Sequence, residues 1–337
     1  MPLNVVKLIQ DMDRLSKATW ERVLIGDVSG LKFREDSLTD ENLFSLMRNH
    51  PQLSVRRFNQ NAEKESGADW EWYVGMDSIG WFRLRIQAKR IHGASYRELD
   101  HPGRLVGEYQ YQTLISGCES ETATYPFHVF YNGWSCDRFH ATKFTSDHTD
   151  SCGPLDQELW GCAALSSHAV QRIHLGSMQT GEWSKRLHAS RYIPELMPWS
   201  RLFTLFCANA FSLQAESWVS GKSSSEIFQH MHHAVILSDL IGRGQIPDGD
   251  GPRSRNRAIY DAVASQSRDT ELIAELPRYA ALTRLAHSYF RNAGSDYVED
   301  NPNFEMQPWD APPDGYPRMV AVLDLSDELD PQSAEIY

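Results

Sequence analysis

The chain contains 337 residues, with 33 Lys and Arg against 45 Asp and Glu, which gives a formal net charge of -12. This balance excludes a general electrostatic attraction to DNA or RNA, so a nucleic-acid enzyme of this composition needs a local basic surface. The five cysteines are few and odd in number, and no apolar run approaches the roughly 18 residues of a membrane span. Because there is also no signal-peptide pattern, we expect a cytoplasmic protein with no disulfide framework and no membrane partner.

The first half of the chain alternates between helical and strand-like patterns. Apolar residues recur at helical spacing over 3–24, which predicts a first helix. Ser37-Leu38-Thr39-Asp40 has the pattern of a capping box and Pro51 is a stop signal, so a second helix is predicted over about 39–49. Strands are then predicted at 54–58, 69–74 and 81–91, a helix between 104 and 116, and a strand at 127–131.

The second half has weaker signals and is mainly helical in pattern. A polar loop is predicted over 135–158, and a Gly-, Asp- and Arg-rich exposed loop over 242–256. A late strand is predicted after the turn signal Pro312-Pro313-Asp314-Gly315. The predicted segments of this half are helices near 163–174, 225–241 and 279–290 and the strand at 319–323.

The most informative segment is the predicted hairpin formed by the strands that begin at Asp69 and Trp81. Side chains alternate between the two faces of a strand, so each strand has one apolar and one polar face. The apolar face carries Trp70, Trp72, Val74, Phe82, Leu84, Ile86 and Ala88, and the polar face carries Asp69, Glu71, Tyr73, Arg83, Arg85, Gln87 and Lys89.

A turn centred near Ser78 would bring residues whose numbers sum to about 156 opposite each other, so Asp69 would face Gln87. Directly opposed Cβ atoms are roughly 4.5–5.5 Å apart, close enough for two side-chain oxygens to share one metal ion. Lys89 comes next on the same face. A hard cation with oxygen ligands beside an ammonium group is typical of phosphodiester hydrolysis.

Two simpler interpretations stay open. The polar face could be solvated, with Glu71 and Arg85 forming an ordinary cross-strand ion pair. Likewise, the basic residues between 81 and 104 could form a nucleic-acid surface or be ordinary charge scatter. These residues are Arg83, Arg85, Lys89, Arg90, Arg97 and Arg104.

Gly67-Ala68-Asp69 followed by Ile86-Gln87-Ala88-Lys89-Arg90 resembles the PD-(D/E)xK restriction-endonuclease-like superfamily, in its Mrr-type Gln-x-Lys form. A longer pattern, covering roughly residues 30–175, is similar to an uncharacterised bacterial family related to those nucleases. The longer pattern adds Glu35-Asp36-Ser37-Leu38-Thr39-Asp40, Trp70-Glu71-Trp72, Pro126 through Tyr131-Asn132, and Gly161-Cys162.

The resemblance implies a role for each matching residue. Asp69 and Gln87 would be metal ligands together with the Ala88 backbone carbonyl, and Lys89 would be the catalytic lysine. An acidic residue from the preceding helix is also implied, and Glu35 is the first candidate, with Asp36 and Glu41 as alternatives. Ala68 stands where the family usually has Pro, and the neutral Gln87 should weaken metal binding.

The resemblance also implies a fold and a function. The fold would be α/β, with an N-terminal helix over 1–27, a restriction-endonuclease-like core over 28–175 (a mixed sheet flanked by helices), and a mainly helical region over 176–337. A late strand near 318–324 would be available to pack back on the core. The function would be Mg²⁺- or Mn²⁺-dependent cleavage of nucleic acid, double-stranded DNA more than RNA, which is compatible with bacterial defence and with a homodimer.

Arg83, Arg85, Arg90 and Arg97 are the predicted nucleic-acid contacts. The alternative function is a restriction-endonuclease-like module with a degenerate metal site that binds nucleic acid or a partner protein without cutting it.

The polar loop contains the residues for a separate metal site. Cys136, His140, His148 and Cys152 could close a structural zinc site, although their spacing is not that of a standard zinc finger. Ordinary polar loop residues are the favoured interpretation.

Overall fold

The predicted strands pair into one mixed sheet in the computed structural model, which describes residues 3–58, 67–135, 156–203, 222–246, 252–293 and 318–326. Within these ranges the sheet has seven strands, in the order β1-β7-β2-β3-β4-β5-β6. The strands are β1 (Leu53–Arg57), β2 (Trp70–Met76), β3 (Gly80–Arg90), β4 (Thr124–Tyr131), β5 (Cys162–Ser166), β6 (Met197–Pro198) and β7 (Met319–Asp324).

Helices pack on both faces of this sheet. The described helices are α1 (Val5–Ser29), α2 (Glu35–Asn49), α3 (Gln110–Glu119), α4 (Ser167–Gln179), α5 (Ala189–Tyr192), α6 (Ser224–Arg243), α7 (Pro252–Asp269) and α8 (Arg278–Ala293). One apolar cluster joins Tyr73 and Val322 to Tyr279 of α8, whereas Trp72 and Leu323 belong to the larger cluster on the opposite face. The prediction of an α/β protein is therefore confirmed at the level of fold class.

Three predicted elements need correction. Helix α2 begins at Glu35, not near Thr39, and its N-cap Arg34 makes no side-chain cap hydrogen bond, so the capping box was wrong. The start is instead favoured by the acidic residues Glu35 and Asp36 in the first turn.

The segment predicted as a helix from 163 begins as strand β5, because a strand buried on both faces has the same continuous apolar pattern as a buried helix. Finally, helix α7 begins at Pro252, inside the predicted loop, at a helix position that suits proline.

The β2–β3 hairpin has the predicted register, with Trp70 opposite Ile86 and Glu71 opposite Arg85. Its apolar face is buried as predicted, since Trp70, Trp72, Leu84 and Ile86 are all at most 3% exposed. The polar face is buried as well, apart from the half-buried Asp69, because α3 contacts β3 and Tyr279 of α8 covers Glu71 and Tyr73. The interpretation of this face as solvated was therefore wrong.

A buried ion cluster fills the polar face. Glu71 is fully buried and accepts hydrogen bonds from Arg85 Nε (2.7 Å) and Arg83 Nη1 (3.4 Å) on one carboxylate oxygen. Its other oxygen accepts from the hydroxyls of Tyr73 and Tyr279, each at 3.1 Å. Because the buried Glu71 pairs with both guanidinium groups and also accepts the hydroxyl of Tyr279, this cluster links the hairpin to helix α8.

This cluster corrects two of the predicted nucleic-acid contacts. Arg83 and Arg85 are only 4% and 5% exposed, and both pair with Glu121 as well as with Glu71. Their guanidinium groups are therefore used inside the protein and are not presented to a nucleic acid.

Strand β7 comes from the far end of the chain and lies inside the sheet. It pairs antiparallel with β1 and parallel with β2, with Leu53 opposite Leu323 and Trp70 beside Met319. The late strand thus packs back on the core as an interior strand next to the edge strand β1, so residues on both sides of position 175 build one sheet. Among the described helices, none combines the length and apolar character that crossing a membrane would require.

The ion cluster predicts a large stability effect at Glu71. Glu71→Gln keeps the side-chain size but removes the fully buried one of the two carboxylates that pair with both guanidinium groups, the other being the partly exposed Glu121. We expect urea denaturation to show a free energy of unfolding lower by about 3 kcal/mol or more. Glu41→Gln, at an exposed ion pair with Arg22, should change it by less than about 1 kcal/mol. Equal losses in the two variants would contradict this account of the cluster.

Candidate active site

A charged cleft lies where the end of β3, the start of α2 and the segment leading into α3 meet. Its volume is about 650 Å³. The ionisable side chains that line it are the acids Glu35, Asp36, Asp69 and Glu98, the bases Lys32, Arg34, Lys89, Arg90 and Arg318, and the histidines His92 and His101. The cleft thus brings together three residues that the sequence marked for catalysis, namely Asp69, Lys89 and Glu35.

Asp69 is held at the cleft by the backbone of the opposite strand. Its N–H donates to the carbonyl of Ile86 at 2.8 Å, one residue before the terminal hairpin pair of Trp70 with Ile86. Its side-chain Oδ2 accepts the N–H of Ala88 at 2.6 Å. Gly67, at a φ of 68°, precedes it where an added Cβ would lie 2.8 Å from the carbonyl oxygen of Gln110. The backbone of β3 therefore holds Oδ2 of the carboxylate, whereas Oδ1 takes no part in this contact.

Lys89 extends from β3 to the same cleft and is only 3% exposed. Its ammonium donates to the side-chain oxygen of Gln110, the first residue of α3, at 3.2 Å. An ammonium group that is largely withdrawn from water interacts more strongly with nearby charge than an exposed one does. The arrangement therefore presents an oriented positive charge at the wall of the cleft.

Glu35 supplies a carboxyl group from the first turn of α2, and it accepts a hydrogen bond from the backbone N–H of Arg90. Burial, together with the neighbouring Glu98 and Asp69, raises the pKa of Glu35 to about 9, although Lys89 opposes the shift. The pKa of Glu98 is lowered, mainly by its hydrogen bond with His92. Of these two neighbouring carboxyl groups, Glu35 is therefore the protonated one and Glu98 is the ionised one.

Gln87 does not join Asp69 at the cleft, although the predicted hairpin was expected to let their side-chain oxygens share one metal ion. It is 1% exposed and does not line the cleft. Its Oε1 lies 2.9 Å from Nε2 of His128, whose Nδ1 lies 2.8 Å from the hydroxyl of Ser167. Burial lowers the pKa of His128, so its imidazole is neutral. The amide of Gln87 is thus turned toward β4, not toward Asp69.

The other predicted residues occupy different positions. Arg90 lines the cleft but is buried against Asp27 at 2.9 Å, and Arg97 is exposed on a short 3₁₀ turn, Arg97–Asp100. Asp36 lines the cleft beside Glu35, whereas Glu41 pairs with Arg22 and is not part of the lining.

Sequence reasoning missed several residues of the cleft. Glu98 and His92 lie beyond the hairpin, in a segment for which no strand or helix was predicted. Arg318 belongs to the cleft only because β7 pairs with β2, which no local pattern indicates. His128 could have been suspected, since it lies in a predicted strand, but its pairing with Gln87 depends on the parallel β3–β4 register.

The donor set suits a hard cation. Among the described residues, no group of three or more His, Cys, Asp and Glu is placed to hold a metal ion. Mg²⁺, however, commonly binds through one or two carboxylates and keeps several waters. Asp69 and Glu35 provide such oxygens, and a guanidinium nitrogen of Arg318 lies 3.4 Å from Asp69 Oδ1, so this oxygen already faces a positive charge. The predicted ligand role of the Ala88 carbonyl stays a prediction.

The proposed zinc ligands Cys136, His140, His148 and Cys152 lie outside the described residues. Cys118 and Cys162, which the structure does describe, are free and buried.

Comparison with known proteins gives one finding. A family model described as a family of unknown function, DUF6615, matches residues 8–327. No curated protein and no solved structure matches the chain.

The shifted pKa of Glu35 predicts a pH dependence of stability. Above its ordinary pKa of 4.5, Glu35 releases its proton in the unfolded chain but keeps it in the folded protein up to about pH 9. Folding therefore binds a proton, and the free energy of unfolding falls as the pH rises through this window, by at most about 1.4 kcal/mol per pH unit.

The test is urea denaturation in EDTA at several pH values between these limits. Glu35→Gln should become increasingly more stable than the wild type as the pH rises, whereas Glu41→Gln on the same helix should follow the wild type. Parallel curves for wild type and Glu35→Gln would show that the shift is absent.

Proposed function

Since the chain belongs to DUF6615, a family of unknown function, we propose its activity from the site: a metal-dependent nuclease that hydrolyses phosphodiester bonds of nucleic acid, with DNA as the favoured substrate. The observation that carries the proposal is the meeting of Asp69, Glu35 and Lys89 in one charged cleft. These residues come from three different elements, so their meeting is a property of the fold and not of a local sequence pattern.

Each residue has a role that its surroundings support. Asp69 and Glu35 would hold Mg²⁺ or Mn²⁺, which when bound would polarise the phosphate and make a water molecule a better nucleophile. Lys89, oriented by Gln110, would stabilise the negative charge that develops on the phosphate oxygens. Glu35 would bind a cation only after losing its proton, so cation binding would release a proton at neutral pH.

The restriction-endonuclease-like assignment of the core is part of this proposal. It is supported by a central hairpin that has the acid at the start of one strand and the lysine at the end of the other, with a further acid at the start of a preceding helix. The cationic side chains at the cleft, including the exposed Lys32 and Arg34, suit a polyanionic substrate despite the net charge of -12.

A second function is favoured by the position of Gln87. Its oxygen is engaged by His128, and its amide nitrogen has no hydrogen-bond partner among the described residues. If this amide stays turned away from Asp69, the cation site lacks a ligand that the resemblance implies. The fold would then act as a module that binds nucleic acid or a partner protein without cutting it.

The catalytic assignment predicts a separation between metal binding and cleavage. Lys89→Ala should lower the rate of plasmid cleavage by about 10²–10³-fold in Mg²⁺ or Mn²⁺ and leave Mn²⁺ binding intact, because it removes a charge that acts in the transition state. Asp69→Ala should abolish both. Lys185→Ala, at an exposed ion pair with Glu182, serves as the matched control and should cleave like the wild type. Equal rates for wild type and Lys89→Ala would refute the assignment.

The position of Gln87 gives a prediction that separates the two functions. Gln87→Glu places a carboxylate in a buried position, so we expect a lower melting temperature in EDTA. If residue 87 faces the cation site, Mn²⁺ should raise the melting temperature of Gln87→Glu more than that of the wild type, because the added charge tightens cation binding. An equal Mn²⁺ effect on both proteins would favour the non-cutting module.

A further inference from the structure

Arg318 reaches the cleft because of its position beside Asp69 in the sheet. It immediately precedes β7, and the parallel pairing of Met319 with Trp70 places the two preceding residues, Arg318 and Asp69, next to each other. On its other side, the carbonyl of Arg318 accepts the N–H of Phe58 at 2.7 Å. The backbone of Arg318 is therefore held in place by a neighbouring strand on each side.

The guanidinium of Arg318 lies between two carboxylates. It forms a two-pronged ion pair with Asp36, with Nη2 2.7 Å from Oδ1 and Nη1 3.2 Å from Oδ2. The same Nη2 lies 3.4 Å from Oδ1 of Asp69. The side chain is 20% exposed and lines the cleft. Arg318 is thus held more closely by Asp36 than by Asp69.

The contact between Arg318 and Asp69 matters because of how the other oxygen of Asp69 is used. Because Oδ2 accepts the Ala88 N–H at 2.6 Å, Oδ1 is the oxygen on which a cation would rely most. Arg318 already provides positive charge at that oxygen. A guanidinium cannot lose its charge at accessible pH, so a divalent cation that approaches Oδ1 is repelled by this positive charge unless the guanidinium moves away.

We propose that Arg318 is an internal counter-cation that occupies Asp69 in the metal-free protein and turns to a phosphate group of the nucleic acid when a divalent cation takes its place. The fork on Asp36 would keep the guanidinium at the cleft during this exchange, where a planar, two-pronged donor suits a phosphate. This inference rests on the proposed cation site at Asp69. It assigns to the C-terminal strand a direct part in that site.

The experiment measures Mn²⁺ affinity by electron paramagnetic resonance and the affinity for a short fluorescein-labelled DNA duplex in Ca²⁺. Arg318→Gln should bind Mn²⁺ about fivefold more tightly than the wild type, because its competitor is gone, and should bind the duplex more weakly. Arg57→Gln is the matched control, since Arg57 is a nearby arginine that pairs with Asp40. It removes the same charge without removing a contact to Asp69.

Arg318→Lys keeps the charge but cannot hold Asp36 in a fork and reach Asp69 together, so its Mn²⁺ affinity should lie between those of wild type and Arg318→Gln. It also provides the measurement if Arg318→Gln fails to fold, as judged by circular dichroism; Mn²⁺ affinity equal to that of the wild type would then overturn the proposal. Mn²⁺ affinities that are equal in Arg318→Gln and Arg57→Gln would likewise overturn it, and equal duplex affinities would overturn the phosphate role.

The variant Asp69→Asn separates a failure of this inference from a failure of the proposed function. If the wild type binds Mn²⁺ and Asp69→Asn does not, the cation site exists, and only the comparison of Arg318→Gln with Arg57→Gln decides the role of Arg318. If the wild type and Asp69→Asn bind Mn²⁺ equally, the cation site itself is refuted.

Discussion

The register of β2 against β3 is the constraint on which the rest of the structure depends. With Trp70 opposite Ile86, one face of the hairpin is apolar and the other carries nearly all of its ionisable groups. A shift of one residue would exchange the two faces and place guanidinium groups among the tryptophans. The same register brings Asp69 within reach of the Ala88 N–H, so it positions the candidate site as well as the core.

The ionisable face is divided between structure and chemistry along the length of the strands. Near the turn, Glu71, Arg83 and Arg85 neutralise one another in a buried cluster that also involves Tyr279 of α8. At the open end, Asp69 and Lys89 face a cleft, where their partners are Arg318 and Gln110. The first set is buried and paired within the protein and is not part of the cleft lining, whereas Asp69 and Lys89 line the cleft although Lys89 is itself only 3% exposed.

The cleft joins segments that are far apart in sequence. Glu35 comes from α2, Lys89 from β3, Gln110 from α3, and Arg318 from the residue before β7. Because β7 lies between β1 and β2, Arg318 and the strand after it cannot leave the cleft without separating β1 from the rest of the sheet. The site therefore depends on the whole sheet and not on the hairpin alone.

The sequence alone determined the hairpin, its register, its apolar face and the α/β class, because alternation with a period of two is a local signal that survives in the fold. It also indicated Asp69 and Lys89, since their residue types on one polar face carry recognisable chemistry, and it indicated Glu35 through the family resemblance. The tertiary structure decided that the polar face is buried, that Gln87 turns to His128, and that Arg318 joins Asp69. These features depend on which distant strands pair and which helices cover them, and no local pattern encodes contacts between residues as far apart as Asp69 and Arg318.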